Sequence, residues 1–429
     1  MKKIISTMLC VCFMLATLTL TSCDSLSLPS GAQGVPGEKG EDGVGIESVE
    51  TNELGEIIII LTDGTVHNVG AIAQNGDGNG DGANSDEVFA TSGLVYYPLD
   101  NGTYAVGGGY AKYLSKIVIP STYNGKPVSQ IANNAFEGFS NATSISIPDT
   151  VTRIGDCAFM SCSSLADVVI PDSVTDIGTY AFYNCTSLKS INVPSSVTKI
   201  SDCTFSSCKA LTDITISAGV TGIGGYAFEG CESLQSIELH DNIETIGDNA
   251  FTGCKKLNSV TIPKNVTSIS SAVFAGCINL RSVVLHENIK TIGDSAFEDC
   301  KKMKNIELPS NLEKIGSYAF ADCIYLESID IPNGVTVIKE GTFIDCESLN
   351  SIKIPNSVTT IEDMAFYNTQ SLSKIVIPKS VTNIKGQIFG CDDGIERVTV
   401  YCEATAKPSG WIKTWNTYVK NVVWGYAGE

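Results

Sequence analysis

At 429 residues the chain exceeds one compact globule, so it either divides into domains or grows along an axis. Its 47 acidic side chains outweigh 28 basic ones, and the net charge of -19 repels phosphate backbones, which argues against nucleic acid as a partner. Three histidines in the whole chain leave little for acid-base catalysis or metal ligation.

The first elements concern export. Lys2 and Lys3 precede an apolar run from Ile4 to Leu20, the order of a secretory signal over residues 1–22. Leu20-Thr21-Ser22-Cys23 resembles a bacterial lipobox, which implies cleavage before Cys23 and a diacylglycerol thioether on its sulfur. The apolar run is short for a permanent membrane span, whereas an anchor with several acyl chains holds a protein stably. The expected location is the cell envelope outside the cytoplasm, surface-exposed, with the membrane reached through the lipid on Cys23.

Residues 23–45 carry glycine at positions 31, 34, 37, 40 and 43, a run of Gly-x-y triplets with collagen-like composition. So few triplets predict a flexible or polyproline-like spacer and a monomeric protein; a trimerising stem is the alternative. Residues 46–73 form a small β module, because Ile57–Leu61 and Thr65–Val69 flank Asp63-Gly64, the signature of a hairpin with a type I′ turn. Residues 74–90 are rich in Gly, Asn and Asp. A calcium loop starting at Asp77 would need an apolar residue at Asn84 and a bidentate Glu at Val88, so a linker is expected instead.

Residues 91–135 contain an irregular first repeat and N-terminal cap. Leu114-x-x-Ile117-x-Ile119-Pro120 repeats the strand half of the coils that follow, and the turn cluster Tyr123 to Pro127 lengthens it. From 136 to 401 phenylalanine recurs every 23 residues, at Phe136, Phe159, Phe182, Phe205, Phe228, Phe251, Phe274, Phe297, Phe320, Phe343, Phe366 and Phe389. Around it runs Leu-x-x-Ile-x-Ile-Pro-x-x-Val-x-x-Ile-Gly-x-x-Ala-Phe-x-x-Cys. A period in the 20s with Leu-x-x-Ile-x-Ile predicts a leucine-rich-repeat solenoid, mainly β with short turns and 3-10 or helical pieces. Alternation buries both isoleucines of Ile-x-Ile and exposes the residue between them, while Pro ends the strand. Val398-x-Val400 is the expected last strand. Residues 402–429 hold Trp411, Trp415 and Trp424, and predict a C-terminal cap of large rings.

Cys162, Cys185, Cys208, Cys231, Cys254, Cys277, Cys300, Cys323 and Cys346 share one repeat position. A column with parallel Cβ directions at roughly 4.8 Å spacing does not satisfy disulfide geometry, so free, buried thiols are expected. Cys391 with Cys402 stays open as a bridge. His240 and His286 replace the coil proline two coils apart, too far to share a metal or a proton. No catalytic, cofactor or metal residue is assigned, and no cofactor is expected.

The outward residues of the Ile-x-Ile strands line one side of the stack, and Glu238, Thr261, Glu307, Asp330 and Lys353 are the candidate protein-binding residues on it. Over about residues 93 to 429 the coil pattern resembles the BspA-like leucine-rich-repeat family of bacterial surface proteins. The ending Val400-Tyr401-Cys402-Glu403-Ala404, Pro408-Ser409-Gly410-Trp411 and Val423-Trp424-Gly425 is similar to that family's terminus. The resemblance implies surface display and binding of, or adhesion to, host, extracellular or neighbouring-cell proteins. A structural envelope or spacer protein without a dedicated ligand is the alternative; catalysis is not expected.

Overall fold

The computed structural model describes residues 46–51, 56–61, 66–71 and 90–428. The export signal, Cys23, the Gly-x-y triplets, the Asp63-Gly64 turn and most of the 74–90 linker lie outside the described residues. The chain divides into two units, residues 1–72 and 73–429.

In the first unit, β1 (Ile46–Thr51), β2 (Glu56–Leu61) and β3 (Val66–Ala71) form an antiparallel sheet in chain order. β2 and β3 are the expected hairpin arms, with Ile60 opposite Val66. β1 adds a third strand, Val49 opposite Ile59.

The second unit opens with β4 (Val95–Pro98) and β5 (Tyr104–Gly107), an antiparallel hairpin, followed by β6 (Lys116–Val118), β7 (Thr122–Tyr123) and β8 (Lys126–Ile131). β5 runs parallel to β8, and β8 to Arg153–Ile154 of the first regular coil. A solenoid would otherwise end on an open core, and this hairpin covers it.

Each regular coil has three walls. The Ile-x-Ile segment is the front wall, laddered in register between several pairs of neighbouring coils, as Ser190–Val193 is to Asp213–Ile216. Val197 N–H then donates to Pro194 O at 3.1 Å and turns the chain into a back wall. There Lys199–Ile200 pairs in parallel with Gly222–Ile223, and that with Thr245–Ile246. Along the third wall the amides of Cys203, Phe205 and Ser207 donate to the carbonyls of Gly225, Ala227 and Glu229 in the following coil, at 2.9, 2.9 and 2.6 Å. Every coil thus hands its backbone hydrogen bonds to its neighbours, which is why no coil is stable alone.

Two constraints follow from stacking coils this tightly. After each back strand the chain passes directly over the coil below: a Cβ at Gly178 would lie 2.5 Å from the Asp156 nitrogen, so the Gly of Ile-Gly is steric. The third wall takes positive φ two residues before and two after every Phe from Phe136 to Phe366, as at Cys203 (56°) and Ser207 (62°) around Phe205. After the Phe this demand is met mostly by Gly, Asn and Asp, for which that conformation is cheap, and by Ser161 and Ser207. Before it, Tyr226, Ala272 and Met364 are held there against their own preference.

The core is one continuous cluster from Val106 to Trp415. Phenylalanine rings stack through it at centroid spacings from 5.0 to 5.8 Å with interplanar angles from 3° to 21°.

Two expectations are corrected. The Ile-x-Ile segments at 168–170, 237–239 and 306–308 form no strand; at the first, the Asn192 side-chain amide from the next coil takes its place, accepting from Ile170 N–H at 3.1 Å and donating to Ile170 O at 2.8 Å. Nor does the ladder stop at Val400. Gly410–Trp411 pairs with Asn383–Ile384, and Asn421–Trp424 with Thr399–Cys402, so the chain completes a further coil in register. Its three tryptophans close the core end, with ring centroids from 4.6 to 6.2 Å apart.

Candidate binding face

The front wall presents its outward residues in two parallel columns. Because pairing is parallel and in register, identical coil positions sit side by side: Ser259 beside Ser282, Thr261 beside Val284, Ser328 beside Ser351 and Asp330 beside Lys353. Glu238, Thr261, Glu307, Asp330 and Lys353 are all exposed. Asp330 and Lys353 lie directly across a ladder, whereas the segments that carry Glu238 and Glu307 form no ladder, so the five make a loose line along the stack.

Two further features of this face were missed from sequence. Lys304 Nζ donates to Glu327 Oε1 at 3.2 Å between adjacent coils, beside Glu307 and Asp330, and Lys302 Nζ sits 5.0 Å above the Tyr325 ring. Both pairs are 23 residues apart, and reading each repeat position as a column would have found them. With Lys304 engaged by Glu327, the acidic groups of Glu307 and Asp330 are left to solvent or a partner. Val169 and Val284 are 66% and 53% exposed, apolar spots on an otherwise small and polar surface.

The remaining candidate chemistry is structural. Each of the nine column thiols is buried and donates to the carbonyl of the Phe 26 residues earlier, at 3.1 to 3.3 Å. Burial pushes the Cys208 and Cys277 thiols up to about 12, far from the thiolate that reactivity needs. Thr369 in the same column turns its hydroxyl to Phe366 O of its own coil, at 2.9 Å. Cys391 and Cys402 are free thiols, the first half-buried beside Arg397 and the second in the core, so the bridge left open by the sequence is not formed.

His240 Nε2 and His286 Nε2 lie 3.0 and 2.8 Å from Ser217 O and Pro263 O of the preceding coil, where they tie neighbouring turns together. Among the described residues no group of three or more His, Cys, Asp or Glu is placed to hold a metal ion. Positive φ at 60°, 56° and 59° favours Asp299, Asp322 and Asp345 on three successive coils, and so lines up three carboxylates. Burial first, then Asp345 and Asp299, raise the Asp322 carboxyl to about 6.

A three-walled parallel β solenoid with in-register outward columns defines a leucine-rich-repeat protein. The family described as the BspA type leucine rich repeat region, in 6 copies, matches residues 129–258, 221–349 and 267–396, and the chain belongs to that family. Among solved structures, a leucine-rich repeat protein from Bacteroides ovatus ATCC 8483 is 27% identical with a TM-score of 0.53, over 79% of this chain and 92% of that one. The pneumococcal vaccine antigen PcpA shares the fold at 17% identity and a TM-score of 0.50, covering 89% of this chain and all 100% of its own. A leucine rich cell surface protein from Faecalibacterium prausnitzii A2-165 is 25% identical with a TM-score of 0.45, over 81% and 96% of the two chains. Comparison with curated proteins finds no match.

Proposed function

We propose that the chain is a binding protein of the cell envelope, held outside the cytoplasm by a lipid on Cys23, whose front wall docks an extracellular or cell-surface protein. The observation that carries the reading is the front wall itself. A parallel ladder fixes Asp330 directly across from Lys353, and the wall displays Glu307, Asp330 and Lys353 together with an already satisfied Lys304–Glu327 pair. A rigid surface with fixed, unpartnered charge binds without ordering cost and selects by charge complementarity.

The competing reading, a spacer without a ligand, draws on the small residues that fill most of the face, such as Ser259, Ser282, Ser328 and Ser351. Parallel capture experiments separate the two. Glu307→Lys with Asp330→Lys reverses the patch, and a docking face then loses its partner while circular dichroism stays unchanged. Capture by neither protein favours the spacer, whereas equal capture by both moves the docking site off this patch, to the hairpin module or the tryptophan-rich cap. The anchor is tested apart from the face: Cys23→Ser blocks incorporation of labelled fatty acid, and label that persists in the variant removes the anchor from the proposal.

A further inference from the structure

A cleft of about 420 Å³ lies at the N-terminal end of the solenoid, apart from the front-wall patch, and falls within the size range of small-molecule sites. Tyr97 and Tyr110 line it, 48% and 75% exposed. Three consecutive glycines, the last of β5, Gly108 and the first of the 3-10 helix Gly109–Tyr113, join the covering hairpin to that helix. They leave bare backbone in the cleft for steric reasons: a Cβ at Gly107 would lie 3.1 Å from Tyr97 Cε2, and one at Gly108 2.2 Å from Phe139 Cζ. Asn133 and Asn134 add two amides to the lining. Asn133 is held in place through its Oδ1, which accepts from Asp156 N–H at 3.0 Å and Arg153 Nη1 at 3.4 Å. Its Nδ2 donates to no described residue.

These observations select a ligand chemistry. No lining residue is charged, and the nearby Arg153 is engaged by Asp176 at 2.9 Å, so nothing in the cleft rewards an ionic ligand. An anion would also meet the field of a chain of net charge -19. β5, whose end carries the first cleft glycine, offers a peptide strand no edge because β4 and β8 pair it on both sides, and the free edge of the sheet is β4. Exposed tyrosines offer flat, stiff, amphipathic surface at low entropic cost, and held amides offer donors and acceptors. A pyranose ring matches both, with apolar C–H faces for the rings and hydroxyls for the amides and glycine backbone. We propose that this cleft binds a neutral saccharide, independently of the front-wall patch.

Saturation-transfer NMR on the full chain tests this with methyl β-glucoside, methyl β-galactoside, methyl α-mannoside and diacetylchitobiose. Glucose 6-phosphate serves as the charged comparison and a polyproline peptide as the rival occupant. At least one neutral glycoside is expected to receive saturation on its ring protons. Tyr110→Ala and Tyr97→Ala should each weaken that binding by about tenfold, while Tyr113→Ala, whose 70% exposed ring is outside the lining, leaves it unchanged. Melting curves matching the parent protein would show that the variants fold. No transfer to any of the four sugars overturns the proposal; so does transfer that survives in the Tyr97→Ala, Tyr110→Ala double variant, or binding by the polyproline peptide alone.

Discussion

The Cys254 thiol donates to the carbonyl of Phe228, one coil down and 26 residues earlier, at 3.2 Å. This single contact joins the two columns that define the repeat. The Phe carbonyl lies where the ring packs inward, and only a small side chain with a weak donor fits beneath the next coil and still reaches it. The bond explains why the position takes cysteine where alanine would also fill an apolar gap.

The thiol column should be chemically silent in the folded protein. With every column sulfur buried and Cys208 and Cys277 pushed up to about 12, a thiol reagent at pH 8 should leave all nine untouched. Denaturation without reductant should then release at least these nine sulfhydryls. A smaller count in the denatured protein would show that some are bridged.

Phe251 lies in the middle of the ring stack, 5.3 Å from Phe228 and 5.7 Å from Phe274, and is fully buried. Phe251→Ala removes packing on both sides and should cost about 3 to 5 kcal/mol. Because neighbouring coils share all their ladders, the loss should appear as a lower melting temperature for the solenoid as a whole. A melt within error of the parent protein would contradict the packing.

Asp322 sets a pH dependence. Its carboxyl rises from 3.8 to about 6 on folding, so the folded protein holds this proton more tightly than the unfolded chain does. The resulting stabilisation is complete below about pH 4 and is lost as pH rises through 6. Asp322→Asn removes the titrating charge. After allowance for solvent screening it should add about 1 kcal/mol at pH 7.5 and much less at pH 4.5. Denaturation at the two pH values measures this, and a gain that grows on acidification would reverse the assignment.

Ala272 sits at φ 51° two residues before Phe274. The left-handed conformation costs a non-glycine residue roughly 1 to 2 kcal/mol, and glycine's extra freedom in the unfolded chain returns part of that. Ala272→Gly should therefore stabilise the solenoid by about 0.5 to 1 kcal/mol, against the usual trend for glycine substitutions. Urea denaturation decides it; a lower midpoint would mean that the methyl group packs better than its backbone suffers.

Much of this was legible in the chain itself. A fixed 23-residue interval with Ile-x-Ile determines a stack of coils, which residues face the core, and that the cysteines line up instead of pairing, because each is a statement about residues at equal repeat positions. The outward position of Glu307, Asp330 and Lys353 follows from the same alternation. Contacts between coils were decided by tertiary structure alone. The back wall depends on where Lys199–Ile200 falls against Gly222–Ile223, a register created only when coils stack. The Asn192 amide replaces a strand from the neighbouring coil, and the positive φ of Tyr226 and Ala272 runs against local preference. Trp411 and Trp424 continue the ladder despite a broken period, since a core end left open to water demands cover more strongly than it demands a repeat. The cleft between Tyr97 and Asn133 exists for the same reason: its two sides are distant in sequence and meet only because the hairpin folds over the first coil.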